Sequence, residues 1–457
     1  MSLRRLSLGI GSGFLDKIVI TITQLLLVPV LVNSWGLTLF GIWAMLATVP
    51  TMLALSDFGI INSAWARMTK FISRGEIDRG RVVLHTAWLA AGLIGLLLVL
   101  AAAATLYLLP AGILPSADRL SDGQARLALF LLIVYGVGTV IFRLNTVIFR
   151  SAGNVPLTLW CNTASFALEN FALLGAVWLG ADLLTAATTL LVARCFSIAS
   201  VFVVGSTMFP QLRPGFAHAR WSEWLEMWRP ALSAAVLGLG IIAFLQLSVL
   251  VLGAAAGAAA VPAFVAVRTL SRVGLQMAQL VAGPVAQEFS QEMAAGRQER
   301  AGRYFGLVLA TSGLMSVGIA VGLVLFGTTF VRVWTAGAIQ VSFTLMVLMA
   351  ISSAAAVLWN TLANLVSAVN RQGAFSTTNL VVSVAGLVLI GMTGERLGTV
   401  AAGLAFAVVD VVTILAVAAF LRREWWSNPA FREGCMMTIR QLRSPMATIK
   451  ALRQQRS

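Results

Sequence analysis

The chain has 457 residues, of which 59% are hydrophobic and 11% are charged, whereas soluble domains average about 25% charged residues. A mean hydropathy of +0.91 over this length means that one globular core could not bury all of the apolar surface. The composition therefore excludes a water-soluble globular protein. Uninterrupted apolar stretches of helical length favour membrane-spanning helices over a transmembrane barrel.

The net charge of +15 comes from basic residues whose positions indicate the orientation of the chain in a membrane rather than nucleic acid binding. Basic residues concentrate in loops and in the C-terminal tail, and they lack the interleaved aromatic residues typical of nucleic acid recognition. The three cysteines, Cys161, Cys195 and Cys435, have no spacing typical of a disulfide or a metal site. We therefore expect no metal, no cofactor, no catalytic residue set and no nucleic acid partner, but an attraction to anionic membrane lipids.

Apolar segments of about 20 residues, the length that crosses a bilayer core, predict twelve transmembrane helices. These spans lie at 12–33, 38–64, 84–109, 126–149, 156–178, 183–208, 231–253, 261–287, 304–330, 339–367, 375–393 and 398–421. Pro50 and Asp57 interrupt the second span, where Asp57 is expected to cap a helix, and Arg268, Arg272 and Pro284 interrupt the eighth. Most basic residues then fall on the side that holds both termini, which the positive-inside rule assigns to the cytoplasm.

Two pairs of loops indicate a duplicated six-helix unit. Gly75–Arg79 is similar to Gly296–Arg300, and Ser151–Asn154 is similar to Ser367–Asn370, and the two pairs are separated by nearly equal lengths of chain. The agreement predicts an all-α polytopic membrane protein of two pseudo-symmetric six-helix lobes around a central cavity, a plan that recurs among transporters. The predicted parts are an N-lobe at 1–208, an amphipathic cytoplasmic linker at 209–229, a C-lobe at 230–421 and a basic cytoplasmic tail at 422–457.

The end of the linker, Trp221–Pro230, has the pattern of a short amphipathic helix that lies in the membrane interface. Pro230 is then expected to begin the seventh span, because proline is tolerated in the first turn of a helix but disrupts its interior. The sequence therefore predicts a separate helix before span seven.

Charged side chains inside the spans are candidates for function, because a charge at bilayer depth costs at least about 2.5–3.5 kcal/mol. Span eight carries Arg268, Arg272, Gln276 and Gln279 at helical spacing, so one face of this helix is polar for about three turns. Two guanidinium groups one turn apart repel each other, which favours a water-filled cavity or an anion beside them. A purely structural role for this face is the alternative.

Spans four and five carry a second polar set, in which Arg143 and Glu169 are candidate partners. Their ion pair could be structural or part of a binding site. The adjacent Asp16–Lys17 pair lies near the cytoplasmic end of span one, where mutual neutralisation or snorkelling accounts for it. Asp410 and Arg194 have no evident partner in the sequence.

Several motifs resemble those of the polysaccharide-transporter branch of the MOP superfamily, the Wzx-like flippases of lipid-linked oligosaccharides. They are Gln24–Pro29 (QLLLVP), Trp35–Gly36, Phe40–Trp43, Leu55–Ile60 and the loops at Ser151–Asn154 and Ala368–Gly373. The resemblance implies a multi-pass protein of the bacterial inner (cytoplasmic) membrane. It also implies transfer of undecaprenyl-pyrophosphate-linked O-antigen or exopolysaccharide units to the periplasmic leaflet by alternating access, with polysaccharide assembly proteins as further partners.

The resemblance implies a central cavity lined by spans one, two, seven and eight, which include Lys17, Arg268 and Arg272. Arginine suits a pyrophosphate because its planar set of donors matches phosphate oxygens. Span seven departs from this pattern, since it is almost wholly apolar. The residues predicted to bind the substrate are Arg268, Arg272, Lys17, Arg143, Gln276 and Gln279, and the candidates for ion coupling are Asp16, Glu169 and Asp410.

Three other functions are open at this point. A cation-coupled multidrug exporter of the same superfamily would be expected to bury acidic residues deep in one lobe, whereas the charge inside the spans leans only towards cationic residues. A membrane enzyme would need a sizeable outer domain or paired catalytic groups, and His85 and His218 show no such pattern. A non-transporting scaffold would lack a central cavity. We expect a transporter and not an enzyme.

Overall fold

A computed structural model describes residues 3–53, 59–115, 117, 120–369, 371 and 373–443 of the chain. Apart from one isolated bridge between Ala117 and Leu120, the regular secondary structure in these ranges is helical. The chain divides into two compact units, unit 1 at Met1–Pro262 and unit 2 at Ala263–Ser457. The all-α fold class is confirmed.

The α-helices of unit 1, within the described ranges, form its framework. They are α1 (Leu3–Leu46), α2 (Thr48–Leu53), α3 (Ile60–Ser73), α4 (Ile77–Leu108), α5 (Asp122–Ser151), α6 (Val155–Trp178), α7 (Leu183–Met208) and α8 (Trp221–Ala256). Further α-helices follow, and the first of them begins at the boundary between the units. They are α9 (Val261–Ala294), α10 (Gln298–Trp334), α11 (Phe343–Ala368), α12 (Gly373–Leu397), α13 (Thr399–Glu424) and α14 (Pro429–Arg443).

Nine helical stretches in the described residues are long and apolar enough to cross a membrane, with α1 and α2 taken together. A shorter apolar stretch at Ala243–Ala256 belongs to α8. The total of twelve spans, the cytoplasmic position of both termini and the predicted lobe boundaries stay predictions. Asp57, for which a capping role was expected, lies outside the described residues.

Helix starts and turns recur in the two units at matching positions. The turn before α4 passes through Gly75 (φ 78°) and the turn before α10 through Gly296 (φ 71°), a left-handed conformation that glycine adopts without strain. The backbone hydrogen bonds of these two turns also match. Ser121 caps α5 and Ser342 caps α11, at the same separation in the chain as the two glycines, and each hydroxyl accepts the backbone N–H three residues on. These matches support an internal duplication.

Two helix boundaries bear on the predicted spans. Helix α8 runs without interruption from Trp221 to Ala256, so the prediction of a separate amphipathic helix that ends at Pro230 is wrong. In α1, the backbone leaves helical geometry at Gly36 (φ 74°, ψ 177°), which lies between the first two predicted spans. A glycine accommodates this change of direction because it tolerates positive φ.

The C-terminal helix α14 packs against α10 in unit 2. Gly302 and Gly434 allow the two backbones to approach closely, since a Cβ atom at Gly302 would lie 2.0 Å from the carbonyl oxygen of Phe431. The Phe431 ring is fully buried beside those of Phe289 and Trp425. The first part of the basic tail is therefore a docked helix.

Candidate functional site

Four polar side chains of unit 1 form a buried group, the Glu169 cluster, which consists of Tyr135, Ser165, Glu169 and Arg194. The Glu169 carboxylate lies 2.7 Å from Arg194 Nη2 and accepts hydrogen bonds from the Tyr135 and Ser165 hydroxyls, each at 2.8 Å. Arg194 Nη2 also donates to the Tyr135 hydroxyl oxygen at 3.1 Å. One ion pair with two supporting hydroxyls thus joins α5, α6 and α7.

The partner of Glu169 differs from the one that the sequence suggested. Arg194, which had no evident partner, forms the ion pair, whereas Arg143 had been the candidate. Arg143 shares a face of α5 with Tyr135 and Thr139, which made it the visible choice. Arg194 lies on another helix, α7, so no helical periodicity links it to Glu169.

The Glu169 cluster borders a cavity of about 370 Å³ within unit 1. Arg143 lines the same cavity, as do the amide side chains of Asn162 and Asn170. A cavity with polar side chains on part of its wall, inside a bundle of apolar helices, has room for water or for polar groups of a ligand. The sequence indicated Arg143 and Glu169 as candidates, and the structure places both on this cavity.

In unit 2, the four polar residues predicted on span eight all lie on α9 and are half-buried. The guanidinium of Arg268 lies over the Phe264 ring, with Arg268 Cζ 5.4 Å from the ring centre. This contact is a favourable cation–π geometry. The further members of the face, Arg272, Gln276 and Gln279, follow Arg268 along the same helix.

Asp410, on α13, is a buried carboxylate of the same unit. Its two oxygens accept hydrogen bonds from the Ser352 hydroxyl at 2.5 Å and from Trp359 Nε1 at 2.8 Å, both on α11. Its negative charge also attracts the guanidinium of Arg272 on α9. A hydrogen bond between the neighbouring Ser353 hydroxyl and the Ser271 carbonyl oxygen, 3.0 Å long, ties α11 to α9.

These contacts correct the interpretation of Asp410 as a charge without partners. Ser352 and Trp359 lie 58 and 51 residues before it, so their approach depends on how α11 packs against α13. The separation in the chain between Arg194 and Asp410 equals that between Ser151 and Ser367. These two serines begin the two loops of one predicted pair. The two units therefore bury opposite charges at corresponding positions, and each charge is held by side chains of its own unit.

The remaining predicted residues lie on α1. The Asp16 carboxylate accepts a hydrogen bond from the Thr163 hydroxyl of α6 at 2.7 Å and lies 3.7 Å from Lys17 Nζ. The Lys17 side chain is 37% exposed, and its role in substrate binding stays a prediction. Within the described part of the chain, no three His, Cys, Asp or Glu side chains come together in a way that could hold a metal ion.

The predicted residues thus fall into groups that belong to different units. The four polar residues of α9 lie in unit 2, together with Asp410. Lys17 and Arg143 belong to unit 1. That all of them face one substrate stays a prediction.

No protein-family model matches the sequence, and no curated protein matches it. Among solved structures, the chain is similar to an inward-facing MATE-family multidrug resistance transporter of the MOP superfamily, with 11% identity, a TM-score of 0.67 and coverage of 90% of this chain and 98% of that one. The lipid II flippase MurJ, in an inward closed conformation, gives 12% identity and a TM-score of 0.67, with 96% and 92% covered. The eukaryotic MATE transporter AtDTX14 gives 15% identity and a TM-score of 0.61, with 95% and 98% covered.

At these identities the likeness shows the fold alone. The chain has the fold shared by MATE and MurJ transporters, and this fold extends over nearly the whole of it. The expected fold is thereby supported, whereas membership of the MOP superfamily and of its Wzx-like branch stays a prediction.

Proposed function

We propose that the protein is a flippase that carries a lipid with an anionic, pyrophosphate-linked oligosaccharide across the bacterial inner membrane by alternating access. The pair of guanidinium groups on α9, Arg268 and Arg272, is the observation that carries the proposal. Both belong to a helix long and apolar enough to cross a membrane, where a single cation already costs about 2.5–3.5 kcal/mol. A pyrophosphate beside them would offset this cost through charge-assisted hydrogen bonds.

The local charge balance supports an anionic rather than a cationic ligand. Asp410 attracts Arg272, but its oxygens already accept hydrogen bonds from Ser352 and Trp359. Asp410 carries one negative charge and the two guanidinium groups carry two positive charges, so these three described side chains together are net positive. The buried carboxylate of unit 1, Glu169, is likewise neutralised by an arginine.

The two functions named by the similar structures frame the alternatives. MurJ is a lipid II flippase, and the inward-facing MATE-family protein is a multidrug resistance transporter. An exporter of cationic drugs would be favoured by an unpaired buried carboxylate. Glu169 is paired and Asp410 has a cationic neighbour, so the flippase is the better-supported function.

Reconstituted proteoliposomes can test the proposal with a fluorescent polyprenyl-pyrophosphate oligosaccharide in the membrane. Flipping is measured as the fraction of label that becomes accessible to an impermeant quencher. The Arg268→Ala, Arg272→Ala double variant is expected to flip at least about tenfold more slowly, since a lost charge-assisted contact weakens binding by about 1.5–3 kcal/mol. Arg303→Ala is the matched control, because Arg303 is an exposed arginine paired with Glu299.

Flipping at the wild-type rate in the double variant, with Arg303→Ala also normal, would refute the assigned site. A wild-type protein that fails to flip the lipid but exports a cationic dye along an ion gradient would support the multidrug alternative. Retention of flipping in an Arg268→Lys, Arg272→Lys variant would show that charge alone suffices. Its loss would point to the planar donor geometry of arginine.

A further inference from the structure

Unit 1 contains a groove of about 310 Å³ between α4 and the start of α8, which we name the α4–α8 groove. One wall is a single face of α4, formed by Thr86, Leu89, Ala90, Leu93 and Ile94 at helical spacing. This face extends for about 12 Å along the helix axis. The other wall is formed by Ala219, Arg220, Trp221 and Trp224.

The α4 wall has the composition and exposure of a surface that meets lipid. Helix α4 is long and apolar enough to span a membrane, and Leu93 is 54% exposed. Trp221, at the start of α8, is 72% exposed. Tryptophan is enriched where a membrane meets water, and an exposed leucine face is typical of a helix that meets acyl chains. The groove therefore runs from an interfacial end into the apolar region.

The segment that closes the groove is held in place by α4. His85 Nε2 donates to the carbonyl oxygen of Arg213 at 3.0 Å, and His85 Nδ1 accepts the backbone N–H of His218 at 3.1 Å. The backbone N–H of Arg220 donates to the Thr86 hydroxyl at 3.0 Å. These contacts form the groove in advance, which lowers the entropy cost of binding a ligand.

One cation at the interfacial end has its side-chain donors unused. The Arg220 side chain is exposed and, within the described residues, makes no hydrogen bond or ion pair. Arg67 on α3 is by contrast occupied by Glu223 and Glu226, at 2.5 and 2.6 Å. The same contacts engage the two carboxylates at the start of α8 that would otherwise repel an anion.

We infer that the α4–α8 groove is a specific binding site for an anionic phospholipid. Its acyl chain lies along Leu89, Leu93 and Ile94, and its phosphate binds the guanidinium of Arg220. The arrangement fits such a lipid because an apolar trough about 12 Å long ends at an available arginine beside exposed tryptophans. The His85 contacts act as positioning contacts that keep Arg220 at the end of the groove.

Native mass spectrometry of the full chain in detergent can test this inference, with phosphatidylglycerol and phosphatidylcholine of the same acyl composition as probes. The wild-type protein is expected to bind phosphatidylglycerol about fivefold more tightly, which is the preference that one basic residue near the surface provides. Arg220→Ala is expected to abolish this preference. Arg213→Ala is the matched control, because Arg213 is an exposed arginine of the same segment that does not line the groove.

A second variant, Ala90→Trp, fills the apolar part of the groove and is expected to weaken binding of both lipids. Size-exclusion chromatography and thermal unfolding show whether each variant is folded. If Ala90→Trp does not fold, the comparison of Arg220→Ala with Arg213→Ala still tests whether Arg220 binds the lipid phosphate. Unchanged phosphatidylglycerol preference in Arg220→Ala would overturn the inference. Equal losses in Arg220→Ala and Arg213→Ala would also overturn it, since they indicate diffuse charge attraction instead of a site.

Discussion

The ion pair between Glu169 and Arg194 offers a sharp test of how buried charge is held in unit 1. The two side chains belong to residues that are 1% and 6% exposed, and each is bound within the Glu169 cluster. In Glu169→Gln the amide keeps one acceptor and nearly the same volume, but the Arg194 charge is left without its counter-charge. The substitution therefore changes the charge and one hydrogen-bonding atom of the side chain while its packing stays nearly the same.

The expected cost of this change is large. Removal of one partner from a buried ion pair typically destabilises a protein by about 3–5 kcal/mol, because the remaining charge stays desolvated. For a unit of this size, such a loss lowers the thermal midpoint by roughly 6–20 °C. In the Glu169→Gln, Arg194→Met double variant both charges are gone, and we expect at least half of the lost stability to return.

Thermal unfolding in detergent, followed by intrinsic tryptophan fluorescence, measures these midpoints. The matched control is Glu299→Gln, which removes the partner of Arg303 in an exposed pair with side chains 48% and 51% accessible. Exposed pairs contribute about 0–1 kcal/mol, so the control should shift the midpoint by no more than about 4 °C. Equal shifts in Glu169→Gln and Glu299→Gln would refute this account of the buried pair. The account would also be refuted if the double variant lost as much stability as Glu169→Gln and Arg194→Met lose separately, added together.

Three further changes test other parts of the structure. Asp410→Asn is expected to lower stability by about 1–3 kcal/mol in the same unfolding assay, because the substitution removes the negative charge beside Arg272 and leaves one acceptor oxygen where Ser352 and Trp359 now have two. A midpoint equal to that of the wild type would contradict this role of the carboxylate. Gly302→Ala on α10 should displace α14 and speed tryptic cleavage at Arg432. Gly313→Ala, also on α10, is the control, because the added methyl group meets open space and should not change the cleavage rate. Equal cleavage rates in the two variants would argue against the close contact between α10 and α14. Asp182 caps α7, and its hydrogen bonds to Thr185 hold the pKa of its carboxyl below the ordinary value. The Asp182 cap should contribute about 1 kcal/mol to the free energy of unfolding, measured as the difference between the wild type and Asp182→Ala. This contribution should be complete at pH 7 and should decline as the pH falls below about 4 through the lowered pKa. A difference that does not change with pH would exclude the carboxylate charge as its source.

The sequence was sufficient for features that depend on near neighbours in the chain. Apolar length predicted membrane-spanning helices, and the polar face of α9 was evident because Arg268, Arg272 and Gln276 are one turn apart. The internal duplication was also visible, since equivalent turns need glycine at the same place, as at Gly75 and Gly296. Each of these signals is carried by a short local pattern of residues.

The packing of helices against one another determines which charged and polar side chains become partners, and local sequence patterns do not show this. Arg194, and not Arg143, is the partner of Glu169, because α7 packs beside α6 and α5 and brings the guanidinium to the carboxylate. Asp410 likewise receives its two hydrogen bonds from another helix, α11, whose donors lie 51 and 58 residues earlier in the chain. A buried charge needs a partner that is close in space, and helical periodicity does not indicate which other helix supplies that partner. The polar residues were therefore recognisable from the sequence as exceptional, whereas their partners were determined only by the tertiary structure.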